Sequence, residues 1–291
     1  MWFLLAAVVL ADSTVAMRVS VAPAETLTVA VSAGNGRTVV LVPGLFGAVY
    51  GYRKVVPLLT AEGYRVIVIE PLAVGQSGRP RKADYSLTAQ ADRIAAVLDT
   101  LRVRDAVIVA HALAGSMALR LAYRHPEMVG GVVSLNGGPA EAAASPGFRR
   151  AMQFVPWVKW MGGASLLQKQ IPKSLRKASG DPSWVTDDVV REYTAGASAD
   201  LDGTLYAYLA MADSREPEKL APHLAEIHCP VRLLLGPATK DGVMKDDEMT
   251  RMRQSLGNFQ VEEIAGAGSY LQEERPDAVA AAVVLMVSGP R

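Results

Sequence analysis

The chain has 291 residues, of which 50% are apolar and 20% are charged, so it can bury one large core, and its length suits a single α/β domain with an inserted subdomain. Its formal net charge is +1, with Lys and Arg scattered along the sequence, which argues against nucleic-acid binding. Cys229 is the only cysteine, and the four histidines lack the spacing of metal ligands. We therefore expect no disulfide framework, no metal site and no cofactor.

The N-terminus raises the question of export. Residues 2–11 form an apolar run of signal-peptide length, and residues 14–16, Thr-Val-Ala, resemble a small-residue cleavage site. The run is too short to span a bilayer, so no transmembrane segment is predicted. It also lacks a preceding basic region, and Met17 reads equally well as a start. The sequence thus predicts a secreted or periplasmic protein whose residues 1–16 lie outside the fold, with a cytoplasmic protein starting at Met17 as the alternative.

Strand-like and helical segments alternate from residue 26, where we expect the sheet to begin. Apolar or alternating runs predict strands at 27–31, 38–42, 65–69, 106–110, 128–135, 231–235 and 259–264. Amphipathic periodicity predicts helices at 52–62, 88–101, 116–125, 246–256 and 276–287. Continuous apolar strands separated by helices are typical of a mostly parallel sheet covered on both faces. The predicted fold class is therefore α/β.

A helical cap is predicted at residues 139–222, where Pro and Gly interrupt helical segments before the strand pattern resumes. The α/β core would then consist of residues 17–138 and 223–291. The cap carries a group of aromatic residues, namely Phe154, Trp157, Trp160 and Trp184. Residues 148–161 are amphipathic and contain basic side chains, so this stretch has an alternative interpretation as a segment that lies on a membrane surface.

Three short motifs follow predicted strands. They read Pro-Gly-Leu-Phe-Gly at 43–47, His-Ala-Leu-Ala-Gly at 111–115 and Gly-Ala-Gly-Ser-Tyr-Leu at 266–271. Together with Glu-Pro-Leu-Ala-Val-Gly-Gln-Ser at 70–77 and Ile-His-Cys-Pro-Val at 227–231, they resemble in order and spacing the α/β-hydrolases, especially the esterase, lipase and haloperoxidase-like branch. The resemblance covers nearly all of the chain from about residue 26, and it implies an α/β-hydrolase fold with an inserted helical cap.

The resemblance implies an oxyanion hole, but this chain lacks the serine that the family carries at the nucleophile elbow. In the family a backbone N–H of the first loop, here that of Leu45 or Phe46, contributes to the oxyanion hole together with the residue after the nucleophile, here Leu113. The elbow normally reads Gly-x-Ser-x-Gly, whereas this chain has Ala112 at the central position. A methyl group cannot attack a carbonyl, so acyl-enzyme formation at this position is not expected.

Two neighbours of Ala112 need separate interpretation. Ser116 lies one helical turn past the elbow, where a small residue normally packs the helix onto the sheet, and a role as a replacement nucleophile is the less favoured alternative. His111 precedes the nucleophile position. Since side chains alternate in direction there, we expect its ring to point away from the pocket and to serve packing.

The base and acid positions of the resemblance are also altered. The closing segment, which usually ends in Gly-x-Gly-His, has Ser269 in place of the histidine. Asn136 stands where some families place the acid, and an amide cannot stabilise an imidazolium as a carboxylate does. Asp241, near the end of a later strand, could supply the acid, or it could be a turn residue before Gly242. The other histidines, His125, His223 and His228, do not follow the last strand, and we expect them to be structural or on the surface.

The nucleophile and the base are both replaced, and one of the two acid positions carries an amide. This pattern favours a non-hydrolytic homologue that binds a small apolar carbonyl or acyl ligand. The residues expected to contact it are Leu45, Phe46, Leu113, Tyr270, Trp157 and Trp160. One alternative is an enzyme with altered machinery, using Ser269, Tyr270, Asp241 or a bound water for hydrolysis, lyase or isomerase chemistry. Another is an interaction module that uses the cap surface. The sequence alone leaves all three open.

Overall fold

The computed structural model of the protein describes residues 14–144, 147, 149–150, 163–238, 244 and 246–288, with the main chain alone at 163–169. These residues form an eight-stranded sheet in the spatial order β1-β2-β4-β3-β5-β6-β7-β8. The strands along the chain are β1 (Thr14–Ala22), β2 (Glu25–Ser32), β3 (Thr38–Val42), β4 (Arg65–Glu70), β5 (Ala106–His111), β6 (Val129–Leu135), β7 (Val231–Leu235) and β8 (Phe259–Glu263).

Most of this sheet is parallel, as predicted. The pairs from β4 through β3, β5, β6 and β7 to β8 are parallel, while β1 and β2 form an antiparallel hairpin and β2 pairs antiparallel with β4. Parallel neighbours require a crossover connection, and helices supply it here. The carboxyl ends of the parallel strands therefore lie at one edge of the sheet, where ligands bind in open α/β folds.

The sheet begins earlier than residue 26, so that prediction is wrong. β1 occupies Thr14–Ala22 and lies at the edge of the sheet, where Arg18 and Ser20 are exposed while Val19 between them is buried. Residues 14–16, interpreted above as a cleavage site, pair with 30–32 of β2. Export and the choice of start remain predictions, but cleavage after Ala16 would remove three residues of this strand.

The helices connect the strands and cover both faces of the sheet. The helices of four or more residues are α1 (Val55–Ala61), α2 (Leu87–Thr100), α3 (Leu113–Arg124), α4 (Gly163–Lys177), α5 (Asp187–Ala199), α6 (Leu201–Asp213), α7 (Asp246–Ser255), α8 (Leu271–Glu274) and α9 (Pro276–Ser288). The helix predicted from residue 52 starts at Val55 because residues 49–52 form a separate 3₁₀ turn. Ser86 caps α2 by accepting a hydrogen bond from the Ala89 N–H at 3.2 Å.

β5 shows how one strand serves two cores. Ile108 belongs to the core on the face covered by α2 and α3, whereas Val107 and Val109 belong to the core on the face covered by α1 and α9. All three side chains are fully buried, and each such burial contributes roughly 1.5–3 kcal/mol. A continuous apolar run is therefore what a strand needs when both of its faces are covered.

Helices α4, α5 and α6 lie between β6 and β7 in the chain. Trp184, which precedes α5, packs with Tyr193 of α5 and Tyr270, forming a small core of its own outside the two sheet cores. None of the helices in the described ranges combines the length and the hydropathy that a membrane crossing requires.

Arg120 of α3 anchors several of these segments, and no sequence pattern pointed to this role. Its side chain is fully buried, and Nη1 donates to Ser116 Oγ at 2.6 Å and to the Ala140 carbonyl at 3.0 Å. Its charge lies 3.4 Å from Glu216 and 3.8 Å from Glu141. The Ser116 hydroxyl itself donates to the Ala140 carbonyl at 2.8 Å. Ser116 thus has a packing role, as the favoured interpretation held.

Candidate active site

The turn between β5 and α3 has the conformation of a nucleophile elbow. Ala112 adopts φ 51° and ψ −120°, a combination that costs a non-glycine residue about 1–3 kcal/mol. Its N–H donates to the Leu135 carbonyl at 2.8 Å and its carbonyl accepts from the Gly115 N–H at 2.9 Å. The strained geometry that would present a nucleophile is therefore present, although the side chain there is a methyl group.

Glycines surround the elbow because atoms of neighbouring segments lie too close for a side chain. A Cβ at Gly115 would lie 2.5 Å from Ser134 Oγ, and one at Gly137 would lie 2.3 Å from the Ala112 carbonyl oxygen. A Cβ at Gly44 would lie 2.9 Å from the His111 carbonyl oxygen. These approaches hold the loop after β3 and the loop after β6 against the elbow.

A cavity of about 360 Å³ lies beside Ala112. Its lining comes from the loop after β3, the elbow, the segment after β6 and the start of α8, namely Gly44, Leu45, Phe46, Gly47, His111, Ala112, Leu113, Ala143, Ala144 and Tyr270. Four of the predicted ligand-binding residues, Leu45, Phe46, Leu113 and Tyr270, are thus brought together. The lining is mainly apolar, as expected for a site that binds an apolar body.

Two backbone amides of this lining are available as donors. Within the described ranges, neither the Leu45 N–H nor the Leu113 N–H donates to a protein acceptor. Leu113 is also the first residue of α3, so the positive end of the helix dipole lies at the cavity. Both features favour a ligand oxygen that carries partial negative charge.

Ser269, at the base position, is held by its main chain. Its N–H donates to the Ala178 carbonyl at 2.7 Å, and its carbonyl accepts from Asn136 Nδ2 at 3.2 Å and lies 2.8 Å from His111 Nε2. The preceding residue, Gly268, donates its N–H to the Glu274 carboxylate at 3.0 Å. Main-chain hydrogen bonds therefore hold this loop around a residue that lacks a basic side chain.

Asn136 links the ends of two strands to this loop. It is buried, with φ 53°, and its Nδ2 donates to the carbonyls of Gly268 and Ser269, both at 3.2 Å. Its Oδ1 accepts from the Gly236 N–H at 2.9 Å. The amide uses both its donor and its acceptor, which a carboxylate could not do. Asn136 is thus a structural anchor beside the base position.

His111 lines the cavity, which is not the outward orientation expected from the sequence. Its ring reaches the Ser269 carbonyl and lies with its centroid 5.1 Å from that of Tyr270. The turn at Ala112 ends the regular alternation of the strand, so the direction of the His111 side chain does not follow from it. Burial lowers the pKa of His111 to about 4, with the hydrogen bond to Ser269 acting in the opposite direction. The imidazole is therefore neutral at pH 7.

Tyr270 connects the cavity to the helices between β6 and β7. Its ring packs against Trp184 with centroids 5.1 Å apart, and burial raises its pKa to about 12. The phenol therefore stays protonated near neutral pH. Trp157, Trp160 and Asp241, which were also predicted to belong to the site, lie outside the described residues.

Two glutamates near the site were not predicted from the sequence to be functional, although Glu70 begins the motif at 70–77. Glu273 is buried and accepts from Tyr193 Oη at 2.9 Å and from Arg53 Nη1 at 2.5 Å. Glu70, at the end of β4, accepts from the Val49 and Gln76 amides at 2.7 and 2.6 Å. Burial raises the pKa of Glu70 to about 7, although both amides and the charge of Arg79 lower it. An acidic residue at the end of an apolar strand was the available signal for Glu70.

This arrangement can bind and polarise a carbonyl group, but the described residues of the elbow and of the loop after β8 include no Ser-His pair. Among the described residues, the polar groups of the lining include two amides that no protein group accepts from, a neutral imidazole and a protonated phenol. In the described ranges no three His, Cys, Asp or Glu side chains are grouped as metal ligands.

Comparisons with known proteins agree with this fold. The chain is 24% identical over 243 residues to the uncharacterized hydrolase YugF of Bacillus subtilis (strain 168), covering 84% of this chain and 87% of that protein. Among solved structures, it resembles wild-type Cfl2 from Burkholderia cenocepacia with a TM-score of 0.75 and 21% identity, covering 96% of this chain and 97% of that one. It also resembles epoxide hydrolase CorEH with a TM-score of 0.76 and 18% identity, covering 94% of this chain and 99% of that one. These two structural likenesses concern the fold. The sequence model described as alpha/beta hydrolase fold matches residues 37–276, and the chain therefore belongs to the α/β-hydrolase family.

Proposed function

We propose that this protein is a non-hydrolytic α/β-hydrolase homologue that binds a small apolar compound carrying a carbonyl or acyl group. The observation that carries the proposal is the elbow at Ala112. It keeps the strained backbone of a nucleophile position beside an apolar cavity of about 360 Å³, yet it offers no nucleophile. Strain of this kind persists only where the surrounding structure enforces it.

The absence of hydrolysis follows from the groups around the elbow. Ala112 cannot form an acyl-enzyme, and the hydroxyl of Ser269 cannot act as the imidazole of a triad does. His111 is a poor replacement base because its pKa is lowered to about 4. Its Nε2 donates to the Ser269 carbonyl, and a Cβ on Gly44 would lie 3.2 Å from the remaining nitrogen, Nδ1. Nδ1 therefore lies against the backbone of the loop after β3.

The ligand class follows from the donors and the lining. The amides of Leu45 and Leu113 would hold the carbonyl oxygen, and the start of α3 would add the field of its dipole. The apolar part of the ligand would lie against Phe46, Ala143 and Ala144. The cavity volume falls at the lower end of the range of small-molecule sites, roughly 300–1,000 Å³, which suits a short or medium acyl chain.

Tyr270 supports a second candidate function. Its phenol lines the cavity and stays protonated because its pKa is raised to about 12, so it could donate a proton or a hydrogen bond to a reacting oxygen. This would suit an enzyme with altered machinery, of lyase or isomerase type. The cavity itself counts against the hypothesis of an interaction module, because such a module needs no open space beneath its cap.

Binding of methyl octanoate tests the proposal, with methyl octyl ether as the matched probe that lacks the carbonyl. We expect the ester to bind and the ether to bind about tenfold more weakly, since one or two hydrogen bonds are lost at about 1 kcal/mol each. Equal affinity for the two probes would contradict the role of the amides.

A cavity-filling variant tests whether the ester binds at this site. We expect Leu113→Trp to abolish ester binding by occupying the cavity. Leu58→Trp is the control, because Leu58 is exposed on α1 and does not line the cavity. Binding that survives in Leu113→Trp would contradict the assigned location.

A further inference from the structure

A second, smaller cavity adjoins the first. Leu45, Phe46 and Gly47 line both of them. The smaller cavity has a volume of about 30 Å³, and its other lining residues include Arg79, Thr194 and Tyr208. It is thus more polar than the first, and it contains a guanidinium group.

Arg79 is held in place by neutral acceptors. Its Nε donates to Thr204 Oγ1 at 2.8 Å, Nη1 to the Ser77 carbonyl at 2.9 Å and Nη2 to the Gly75 carbonyl at 2.6 Å. Within the described ranges it forms no ion pair. The charge of Arg79 lowers the pKa of Glu70, but the Glu70 oxygens accept from the Val49 and Gln76 amides instead.

The packing around Arg79 fixes its position. A Cβ at Gly196 of α5 would lie 1.7 Å from the Gly75 carbonyl oxygen and 3.0 Å from Arg79 Nη2. The guanidinium therefore lies between the loop after β4 and the helices α5 and α6. A partly buried cation is stabilised by an anion that accepts its hydrogen bonds, and a carboxylate matches the planar donor pattern of Arg. Two of its N–H groups are not used by the three bonds above.

Phe46 is the wall that both cavities share. Its side chain is 49% exposed, and its ring meets the edge of Tyr208 with centroids 5.7 Å apart. Such a pair contributes about 0.5–1.5 kcal/mol, so a ligand of modest affinity can displace the Phe46 ring. Rotation of its ring would remove part of the wall between the two cavities, to which Leu45 and Gly47 also belong.

We infer that the ligand is an acyl compound with a carboxylate at its far end, which binds its carbonyl at the Leu45 and Leu113 amides and its carboxylate at Arg79. This inference rests on the proposed function and narrows its ligand class. Phe46 contacts the apolar chain between the two ends. A charge-assisted, two-bonded Arg–carboxylate contact is stronger than a neutral one, so Arg79 selects acids over their neutral esters.

Calorimetry with monomethyl suberate and dimethyl suberate tests this selection. These probes share a chain and a methyl ester and differ only in whether the far end is a carboxylate. We expect the wild-type protein to bind the monomethyl probe at least about tenfold more tightly at low salt, with the preference shrinking as salt screens the charge. Equal affinities in the wild-type protein overturn the inference, and this result needs no variant that could fail to fold.

Two variants separate the charge of Arg79 from its structural role. Arg79→Gln should remove the preference for the acid, so that the two suberate probes bind with equal affinity. Thr204→Val removes the bond between Arg79 and α6 but keeps the charge, so it should retain the preference. Loss of the preference in Thr204→Val to the same extent as in Arg79→Gln would assign Arg79 a structural role and overturn the inference.

The outcome with methyl octanoate distinguishes this inference from the proposed function. If methyl octanoate binds and the two suberate probes bind equally, the inference fails and the proposed function stands. If none of the three probes binds, the proposed function fails, and the inference that rests on it fails too.

Discussion

The Nε2 atom of His111 lies 2.8 Å from the carbonyl oxygen of Ser269. Because a carbonyl only accepts, Nε2 must carry the proton of this hydrogen bond. The residue before the elbow therefore holds the main chain at the position where related proteins carry their catalytic base. The contact joins two features of the altered site, and it makes the protonation state of His111 matter for stability.

His111 should make the protein less stable in acid. Burial lowers the pKa of His111 to about 4 in the folded protein, whereas the ordinary value is 6.5. As the pH falls, the histidine of the unfolded chain therefore takes up a proton first. The free energy of unfolding is therefore highest above pH 6.5 and falls between pH 6.5 and about 4. The total loss from this one group is about 3 kcal/mol. His111→Gln should show a flatter fall in the free energy of unfolding over this range, measured by urea unfolding.

His125 provides the control for this pH dependence. It is partly exposed and lies 3.3 Å from Asp92 at the surface. His125→Gln should keep the wild-type slope between pH 6.5 and 4. A slope that is unchanged in His111→Gln would show that His111 is not the group responsible.

Asn136→Asp should destabilise the protein more than Asn136→Ala. The aspartate would point carboxylate oxygens at the carbonyls of Gly268 and Ser269, where Nδ2 now donates. An unpaired buried charge costs more than a lost hydrogen bond, which itself costs about 1–3 kcal/mol when the partner is buried. Urea unfolding of both variants measures the difference. If the aspartate variant is as stable as wild type, position 136 is an acid position and not the anchor described above.

Arg120→Met should cost about 3–5 kcal/mol, because it leaves the carboxylates of Glu216 and Glu141 without their buried partner. Arg124→Met on the same helix is the matched control. Arg124 pairs with Asp92 and Glu218 at the surface, where such pairs contribute about 1 kcal/mol or less. Equal losses in the two variants, measured by urea unfolding, would contradict the anchoring role of Arg120.

Ala112→Ser combined with Ser269→His should restore slow ester hydrolysis. The serine would inherit the strained backbone at φ 51°, and the histidine would stand at the base position. Triad members act as a unit, so we expect the double variant to exceed both single variants by about tenfold or more in release of p-nitrophenolate from p-nitrophenyl butyrate. Asn136 is left unchanged because its amide anchors the loop. A folded double variant with wild-type rates would indicate a site reshaped beyond simple loss of the triad.

The positions of the central strands along the chain could be predicted from sequence because most of them are continuous apolar runs. The run at 106–110 matches β5 (Ala106–His111) to within one residue. The position of β1 could not be predicted in this way. Arg18 and Ser20 interrupt the apolar pattern of this edge strand, and another apolar run precedes it. The elbow position of Ala112 followed from the resemblance to the α/β-hydrolase motif and from its place directly after a predicted strand, and the positive φ there agrees with it.

The contacts within the site could not be predicted in the same way. Asn136 donates hydrogen bonds to Gly268 and Ser269, which lie more than a hundred positions further along the chain. No local sequence pattern predicts such a contact. The direction of the His111 side chain depends on the turn at Ala112. Arg120 reads as one polar residue on an amphipathic helix, and its burial results from carboxylates that the folded chain brings near it.

The fate of a bound ester tests the central claim most directly. Methyl octanoate would be titrated into the wild-type protein by calorimetry, and the sample would then be extracted and its ester, octanoate and methanol quantified. We predict saturable binding at one ester per chain with the ester recovered intact. Catalytic formation of octanoate and methanol by the wild-type protein would contradict a non-hydrolytic role, and the absence of any binding would contradict a ligand-binding one.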